Sequence, residues 1–384
     1  MNRIKVITVF GTRPEAVKMA PLVKALENCE SIDSKVCVTA QHRQMLDQVL
    51  EIFHIRPDYD LNIMQDRQTL IDVTSRAIEG LYTVFSEARP DIVLVHGDTT
   101  TTMAASLAAF YAKIKVGHVE AGLRTYDKYS PYPEEMNRRL TGVIADLHFA
   151  PTVANRENLL KENVPNDSIY ITGNTVIDAL SSTVVTDYSF KDRFLKNYSF
   201  DNKRVISVTA HRRENLGEPF ENIFAALRRL VEDLADIEMI YPMHLNPLVR
   251  EAASRILGNH KRIHLIEPLN VQDMHNLMAR STLVMTDSGG LQEEAPSLGK
   301  PVLVLRNETE RPEAIKAGTV KLAGTDRETI YNEARHLLDN AAVYEKMAKA
   351  VNPYGDGRAS QRIVEALLYH FGLSDVRPRE FSMD

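Results

Sequence analysis

Short β-branched runs alternate with helix-period segments along nearly the whole chain, and this alternation limits the fold more than any other feature. The first series of runs is 4–10, 35–39, 91–97, 115–120, 146–150 and 169–173. The second is 204–210, 237–242, 262–266, 282–287, 301–305 and 319–324. Most are apolar without strict alternation, as expected of strands buried on both faces of a parallel sheet. Helical patterns fill the gaps, for example 68–88, 99–113, 218–235 and 326–338. Repeated strand–helix units imply right-handed crossovers and doubly wound sheets, so the fold class is α/β with two such domains. Residues 181–203 are polar and aromatic with weak periodicity, which puts the domain boundary near 172–180. The last pattern, ASQRIVEALLYHF (359–371), is an amphipathic helix that suits either domain.

The chain has 384 residues, 44% of them apolar and 26% charged, enough for two cores. Net charge is −6 and no run of Lys or Arg forms a tail, which argues against a nucleic-acid partner. Cys29 and Cys37, with no nearby Cys/His cluster, resemble neither a zinc site nor a disulfide framework. They read as reduced thiols of a cytoplasmic protein. MNRIKVITVFGTRP reads as a first strand rather than a signal peptide. No segment approaches the ~18 apolar residues needed to cross a bilayer, so no membrane association is expected.

Open parallel sheets bind ligands beyond the carboxyl ends of their strands, so the residues at those ends matter most. GTRPEAVKMAP follows the first run. Gly11 permits a close turn, Pro14 suits a helix start, and Arg13 and Lys18 lie near the helix N-terminus. They read either as phosphate ligands or as two solvated cations. The motif is neither a Walker sequence nor GxGxxG, so neither nucleotide hydrolysis nor NAD binding follows. In HGDTTTT (96–102), Asp98 is a functional carboxylate or a helix cap. In HVEAGLRT (118–125), Glu120 ends a buried strand, where a solvated face is a poor explanation. In PYPEEMNRRL (131–140), Glu134 and Glu135 suit the positive end of a helix dipole. They could equally form i,i+4 pairs with Arg138 and Arg139.

In the second half, VISVTAHRREN (205–215) puts His211, Arg212 and Arg213 just beyond a strand, and YPMHLNP (241–247) does the same for His244. TDSGGLQEE (286–294) offers the backbone N–H groups of Ser288, Gly289 and Gly290 as a diphosphate cradle at a helix start. Glu293 and Glu294 fall in that helix's first turns. A carboxylate there accepts two hydrogen bonds from a ribose diol, each worth ~1.5–3 kcal/mol. Arg311 could balance the charge, and a simple helix cap is the plainer alternative.

Taken together, GTRPEAVKMAP, HGDTTTT, HVEAGLRT, PYPEEMNRRLTG, TAHRREN, TDSGGLQEEAPSLGKPVLVLR and TERPEA resemble the motifs of the non-hydrolysing bacterial UDP-N-acetylglucosamine 2-epimerases, in that family's order. The resemblance covers nearly the whole chain. It implies two Rossmann-like domains facing a cleft in a GT-B glycosyltransferase-like fold. The N-terminal domain would be 1–172 plus the terminal helix 359–384, and the UDP-binding domain 173–358. Carried over by motif, the nucleotide site is Arg13, Ser288, Gly289, Gly290, Glu294 and Arg311. The reaction site is Lys18, Asp98, Glu120, Glu134 and His211. Gln41, Gln44, Arg67, Gln68, Arg212 and His244 match the positions that bind a second UDP-GlcNAc as activator in some members. A homodimer, and UDP-ManNAc supply for cell-surface polysaccharide, are also implied.

The chemistry explains why such groups are needed. The C2 proton of UDP-GlcNAc is not next to a carbonyl, so C1–O cleavage must accompany or precede its removal. Departing diphosphate needs its charge held, which suits Arg13, His211 and the glycine turn. Loss of UDP gives a 2-acetamidoglucal, and re-addition with a proton on the opposite face gives UDP-ManNAc. Two acid/base groups are then required, with Asp98 and Glu134 as the expected pair and Glu120 positioning the sugar. Nothing is oxidised, so no NAD is needed, and no metal-ligand cluster is visible. Three other readings share the nucleotide site. A hydrolysing epimerase commonly carries an added sugar-kinase domain, for which 384 residues leave no room. A glycosyltransferase needs an acceptor groove. A non-catalytic UDP-sugar sensor need not keep Asp98, Glu120, Glu134 and His211 together.

Overall fold

The computed structural model describes residues 3–40, 43–65 and 67–383. Two compact units are present, Met1–Ser182 with Tyr354–Ser382, and Thr183–Pro353. The first unit thus takes in residues 173–182 and 354–358, which the sequence reading assigned to the second domain.

In the first unit the strands are β1 (Ile4–Phe10), β2 (Ile32–Val38), β3 (Tyr59–Asp60), β4 (Ile92–His96), β5 (Lys115–Val119), β6 (Leu147–Ala150) and β7 (Ile169–Ile171). They form one sheet in the order β3-β2-β1-β4-β5-β6-β7, and every ladder is parallel. β1 and β4 are adjacent although far apart in sequence, so the sheet winds outward from between them in both directions. Every residue of β4 is buried, as its uninterrupted IVLVH requires. β3 is two residues long and lies in the polar run DYDLN, so periodicity gave no sign of it. One core layer packs Ile7, Val9, Val93 and Val95 under Val73, Ala77, Leu81 and Phe85 of the helix Leu70–Ala88. Ala104, Ala105, Ala108 and Ala109 of the helix Thr100–Tyr111 complete that layer.

The second unit carries β8 (Arg204–Thr209), β9 (Ile237–Pro242), β10 (Ile263–Ile266), β11 (Leu283–Thr286), β12 (Val302–Val304) and β13 (Val320–Leu322). Their order is β10-β9-β8-β11-β12-β13, again all parallel. Phe220 and Phe224 of the helix Glu218–Asp233 stack at 5.3 Å, almost parallel, and are fully buried near Tyr241. Burying each ring contributes about 1.5–3 kcal/mol. The aromatic stretch that follows the first unit forms a small core of its own. Phe190 and Leu195 are buried with Val205, Ile240 and Leu277, and the carboxylate of Asp273 accepts from Tyr188 Oη and from the amides of Lys191 and Asp192.

The terminal helix Ala359–His370 belongs to the first unit and packs on the helix Arg13–Glu27. Its first turn is held by Asp178, which accepts from the amides of Ala359 (3.1 Å) and Ser360 (2.7 Å). Among the described residues no helix is long and apolar enough to cross a membrane.

Candidate functional site

The turn after β1 tolerates only glycine at its first position. A Cβ on Gly11 would stand 2.0 Å from Thr39 Oγ1 and 2.6 Å from Thr101 Oγ1. Glu15, one turn into the next helix, reaches back to accept from the amides of Gly11 (3.0 Å) and Thr12 (2.8 Å). Its other oxygen accepts from Thr99 Oγ1 (2.6 Å) and Thr102 Oγ1 (3.3 Å). One buried carboxylate therefore ties the turn carrying Arg13 to the turn carrying Asp98. Burial raises its pKa, opposed by the hydrogen bonds from Thr99, Gly11 and Thr12, with burial dominant. Sequence reading passed over Glu15, although its place inside GTRPE, three residues after a Thr cap, is a capping-box signal.

At the end of β4 the helix cap is Thr99, which accepts from the amide of Thr102 (3.1 Å), and not Asp98. The Asp98 carboxylate instead receives Arg138 Nε (3.0 Å) and Nη2 (2.6 Å), while its carbonyl accepts from Asn137 Nδ2 (2.9 Å). His118 Nε2–H donates to Gly97 O (2.7 Å) and so steadies the same turn.

Glu120, just past β5, has a left-handed backbone with φ of 63° and is buried. That conformation costs a non-glycine residue of order 1–3 kcal/mol, which is typical of functional positions. Its Oε1 accepts from Lys18 Nζ and from Asn174 Nδ2 (2.9 Å), and His96 Nε2 lies 3.7 Å from Oε2. His96 is buried, and neither ring nitrogen has a hydrogen-bond partner. Burial outweighs the attraction of Glu120 and pushes its pKa down to about 4, so the ring is neutral at pH 7.

The helix Glu134–Ile144 docks its first turn against Asp98 through Asn137 and Arg138. Glu134 Oε2 is buried without a hydrogen-bond partner. Glu135 is fully buried and accepts from the amides of Thr125 (3.0 Å) and Tyr126 (3.1 Å) and from Arg138 Nη1 (3.2 Å). The i,i+4 pairs Glu134–Arg138 and Glu135–Arg139 do not form. The docked turn brings Arg138 against Asp98 and the fully buried Glu135 instead, and Arg139 is left facing Glu162 at 3.9 Å. Arg124 is buried in a two-pronged contact with Glu162 (2.8 and 2.7 Å), a structural role.

In the second unit β8 and β11 are neighbours, so the turns TAHRREN and TDSGG share one sheet end. Asp287 is fully buried there, its Oδ2 accepting from the amides of His211 (2.7 Å) and Arg212 (2.8 Å). His211 stacks on His244 at 5.3 Å, and burial lowers its pKa, opposed by Asp287. Asn246 N donates to His244 Nδ1 (3.1 Å). Ser288 occupies the N-cap position of the helix Gly289–Ser297 without a side-chain capping hydrogen bond. Its own N–H donates to Thr286 Oγ1 (2.9 Å), so it is not one of the amides open to a ligand, contrary to the sequence expectation. The two glycines begin the helix, whose first-turn N–H groups have no partner within it. Arg212 donates from Nε to Asp287 O (3.3 Å), and its Nη2 lies 3.7 Å from where a Cβ on Gly289 would be. Arg212 thus stands at the glycine turn.

The paired glutamates of TDSGGLQEE are sorted by their neighbours. Glu293 is buried and paired with Arg311. Glu294 stands beside Gly290, with His275 Nε2 at 3.2 Å, and His275 Nδ1 is in turn bonded to Thr183 Oγ1 (2.6 Å). Arg311 therefore balances Glu293 and leaves Glu294 at the turn.

Of the residues matched to an activator site, Gln41 and the side chain of Gln44 lie outside the described residues. Arg67 is exposed with φ of 57°, and Gln68 Oε1 accepts from Gln65 N (3.1 Å) and Arg76 Nη1 (3.4 Å). Both belong to the first unit, whereas Arg212 and His244 belong to the second. Among the described residues no group of three or more His, Cys, Asp and Glu could hold a metal ion.

Comparison with known proteins agrees with this architecture. The model of the UDP-N-acetylglucosamine 2-epimerase family matches residues 24–368. The UDP-N-acetylglucosamine 2-epimerase of Bacillus subtilis is 62% identical over 382 residues, spanning 100% of both chains. The S. aureus protein MnaA, solved with UDP, superposes with a TM-score of 0.88 at 54% identity, covering 99% of this chain and 100% of that one. The Neisseria meningitidis UDP-GlcNAc 2-epimerase, solved with UDP-GlcNAc, gives 0.87 at 53% identity over 95% of this chain and 100% of that one. Two parallel α/β sheets, a family model matched over most of the chain and full-length similarity lead to one conclusion: this chain is an enzyme of the UDP-N-acetylglucosamine 2-epimerase family.

Proposed function

We propose that the protein converts UDP-GlcNAc and UDP-ManNAc into one another without hydrolysis, by eliminating UDP to a 2-acetamidoglucal and adding it back. In the forward direction a base takes the C2 proton, the C1–O electrons leave with UDP, and a C1–C2 double bond forms. Re-addition places a proton on the other face of C2 while UDP returns to C1. Gly289 and Gly290 hold the diphosphate through their N–H groups in this scheme, with the Ser288 hydroxyl beside them and Arg13 and His211 against its growing charge, and Glu294 takes the ribose diol. Arg311 acts on the nucleotide side by keeping Glu293 occupied. Asp98 and Glu134 serve the two faces of C2, while Lys18 and Glu120 orient the sugar.

The observation that carries this reading is the setting of Glu120. A buried carboxylate in a strained left-handed backbone, held by Lys18 and Asn174, is a poor structural choice and a good preorganised one. Support also comes from Asp98 and Glu134, which sit on a strand end and on the helix turn docked to it. Binding of a second UDP-GlcNAc as activator through Gln41, Gln44, Arg67, Gln68, Arg212 and His244 is part of the same reading. The His211–His244 stack supports a link between such a ligand and the reaction. The product would then supply ManNAc units for surface polysaccharide.

The test is incubation with UDP-GlcNAc alone in deuterated water, followed by NMR. Expected is UDP-ManNAc carrying deuterium at C2. Free ManNAc would indicate hydrolysis, and product without label would exclude the route.

A further inference from the structure

Asp287 follows directly on β11 with no exposed surface, and its two oxygens are used unequally. Oδ2 accepts three hydrogen bonds, from the amides of His211 and Arg212 and from Asn215 Nδ2 (3.2 Å). Oδ1 has no hydrogen-bond partner and stands 3.4 Å from His211 Nδ1. A carboxylate oxygen left unpaired in the interior is expensive, and a ring N–H facing it at this distance is the available remedy. We propose that Asp287 is the positioning residue for His211, holding the ring with Nδ1–H toward Oδ1 and Nε2 outward, and balancing the positive charge the ring acquires beside a diphosphate.

This inference rests on the reading of His211 as the partner of the departing diphosphate. Three groups act on the ring. Arg212 and the stacked His244 oppose a charge on it and Asp287 favours one, while the hydroxyl of Tyr241 is committed to the carbonyl of the preceding residue, Ala210 (2.5 Å). Without a ligand, burial prevails over the attraction of Asp287, with Arg212 and the stacked His244 working in the same direction as burial, and the ring is held toward its neutral form. A diphosphate beside Nε2 adds a second negative neighbour. The ring then binds a solvent proton and stands as imidazolium between two anions, donating from Nε2 to the phosphate oxygen as the C1–O bond breaks. No covalent bond to the enzyme is made. Asp287 has a second task through Oδ2, because the amides it binds set the path of the turn that carries the ring.

The experiment is NMR of the full chain labelled with ¹⁵N-histidine, with His211 assigned by its loss in His211→Asn. Expected is the Nδ1–H tautomer without ligand, and UDP raising the pH at which the ring loses its charge. In Asp287→Asn the amide oxygen still accepts from the two backbone N–H groups, but its NH2 faces Nδ1 and forces the Nε2–H tautomer. Turnover should then fall roughly 10²- to 10⁴-fold, the upper end being what a wrong-tautomer histidine costs a Ser-His-Asp triad. KM should move only several-fold, and the double variant should be no slower than His211→Asn. An Nε2–H tautomer in the wild type, an unchanged tautomer in Asp287→Asn, or additive losses in the double variant would each overturn the assignment. Should Asp287→Asn not fold, the wild-type tautomer decides alone. Failure of the elimination route would appear instead as free ManNAc or unlabelled product, with the tautomer untouched.

Discussion

Lys18 and Glu120 form an ion pair with little solvent access, joining the helix after β1 to the residue just past β5. Asn174 donates to the same oxygen, so the carboxylate is held from two directions. Removing one partner of a pair this buried leaves the other uncompensated, at a cost of about 3–5 kcal/mol. Lys18→Met should therefore be strongly destabilised in urea titrations, and Lys18→Met with Glu120→Gln should regain part of the loss. Glu120→Gly relieves the left-handed strain while deleting the carboxylate. It should fold at least as stably as Glu120→Gln yet show no epimerase activity.

Asp98 is neutralised by Arg138 but is not needed as a helix cap, because Thr99 fills that place. Asp98→Asn should keep the fold and most UDP binding, measured by calorimetry. Turnover should drop by roughly 10²–10⁴ if Asp98 moves a proton at C2. Equal loss of binding and turnover would indicate a structural role instead.

Three buried histidines make the first unit sensitive to acid. Burial pushes His118 down to about 3, and His96 and His148 down to about 4. Each folded pKa lies below the unfolded value near 6.5, so the unfolded chain binds protons first as pH falls. Stability is full above pH 6.5 and declines toward pH 4, at about 1.4 kcal/mol per pH unit for each ring. Glu15 works in the opposite sense, since its raised pKa favours the folded state as pH falls toward 4.5. His118→Asn should remove about one proton from the slope of stability against pH between 6 and 4.5, followed by circular dichroism.

Gly11 has no room for a methyl group between Thr39 and Thr101. Gly11→Ala should destabilise by roughly 1–3 kcal/mol or more, the usual range for overpacking. Thr39→Ala removes the nearest oxygen, at 2.0 Å, and should restore part of that loss if the clash is the cause. A thermal-melt comparison of the two variants decides it.

Much of this protein was legible along the chain. Period and composition are local properties, so the uninterrupted apolar runs marked twelve of the strands and the parallel, doubly wound class. Only β3, two residues in a polar stretch, left no trace. Strand-end position likewise drew attention to Asp98, Glu120, His211 and the TDSGG turn, because α/β sheets bind ligands there, whereas Glu134 stood out only as part of a helix start. Pairing across distant segments was not legible. Arg138 could be assigned to Glu134 by helical spacing, but the docking of its helix on β4 gave it to Asp98 and Glu135. Glu293 and Glu294 are chemically identical neighbours, and only their opposite surroundings, Arg311 for one and His275 for the other, separate them. His96, Asn174 and Asp287 stood within or beside the quoted motifs without any mark of their roles, and the capping-box spacing of Glu15 did not reveal its tie to the Asp98 turn. Those roles are properties of burial and of contacts between strand ends far apart in sequence, which no periodicity encodes.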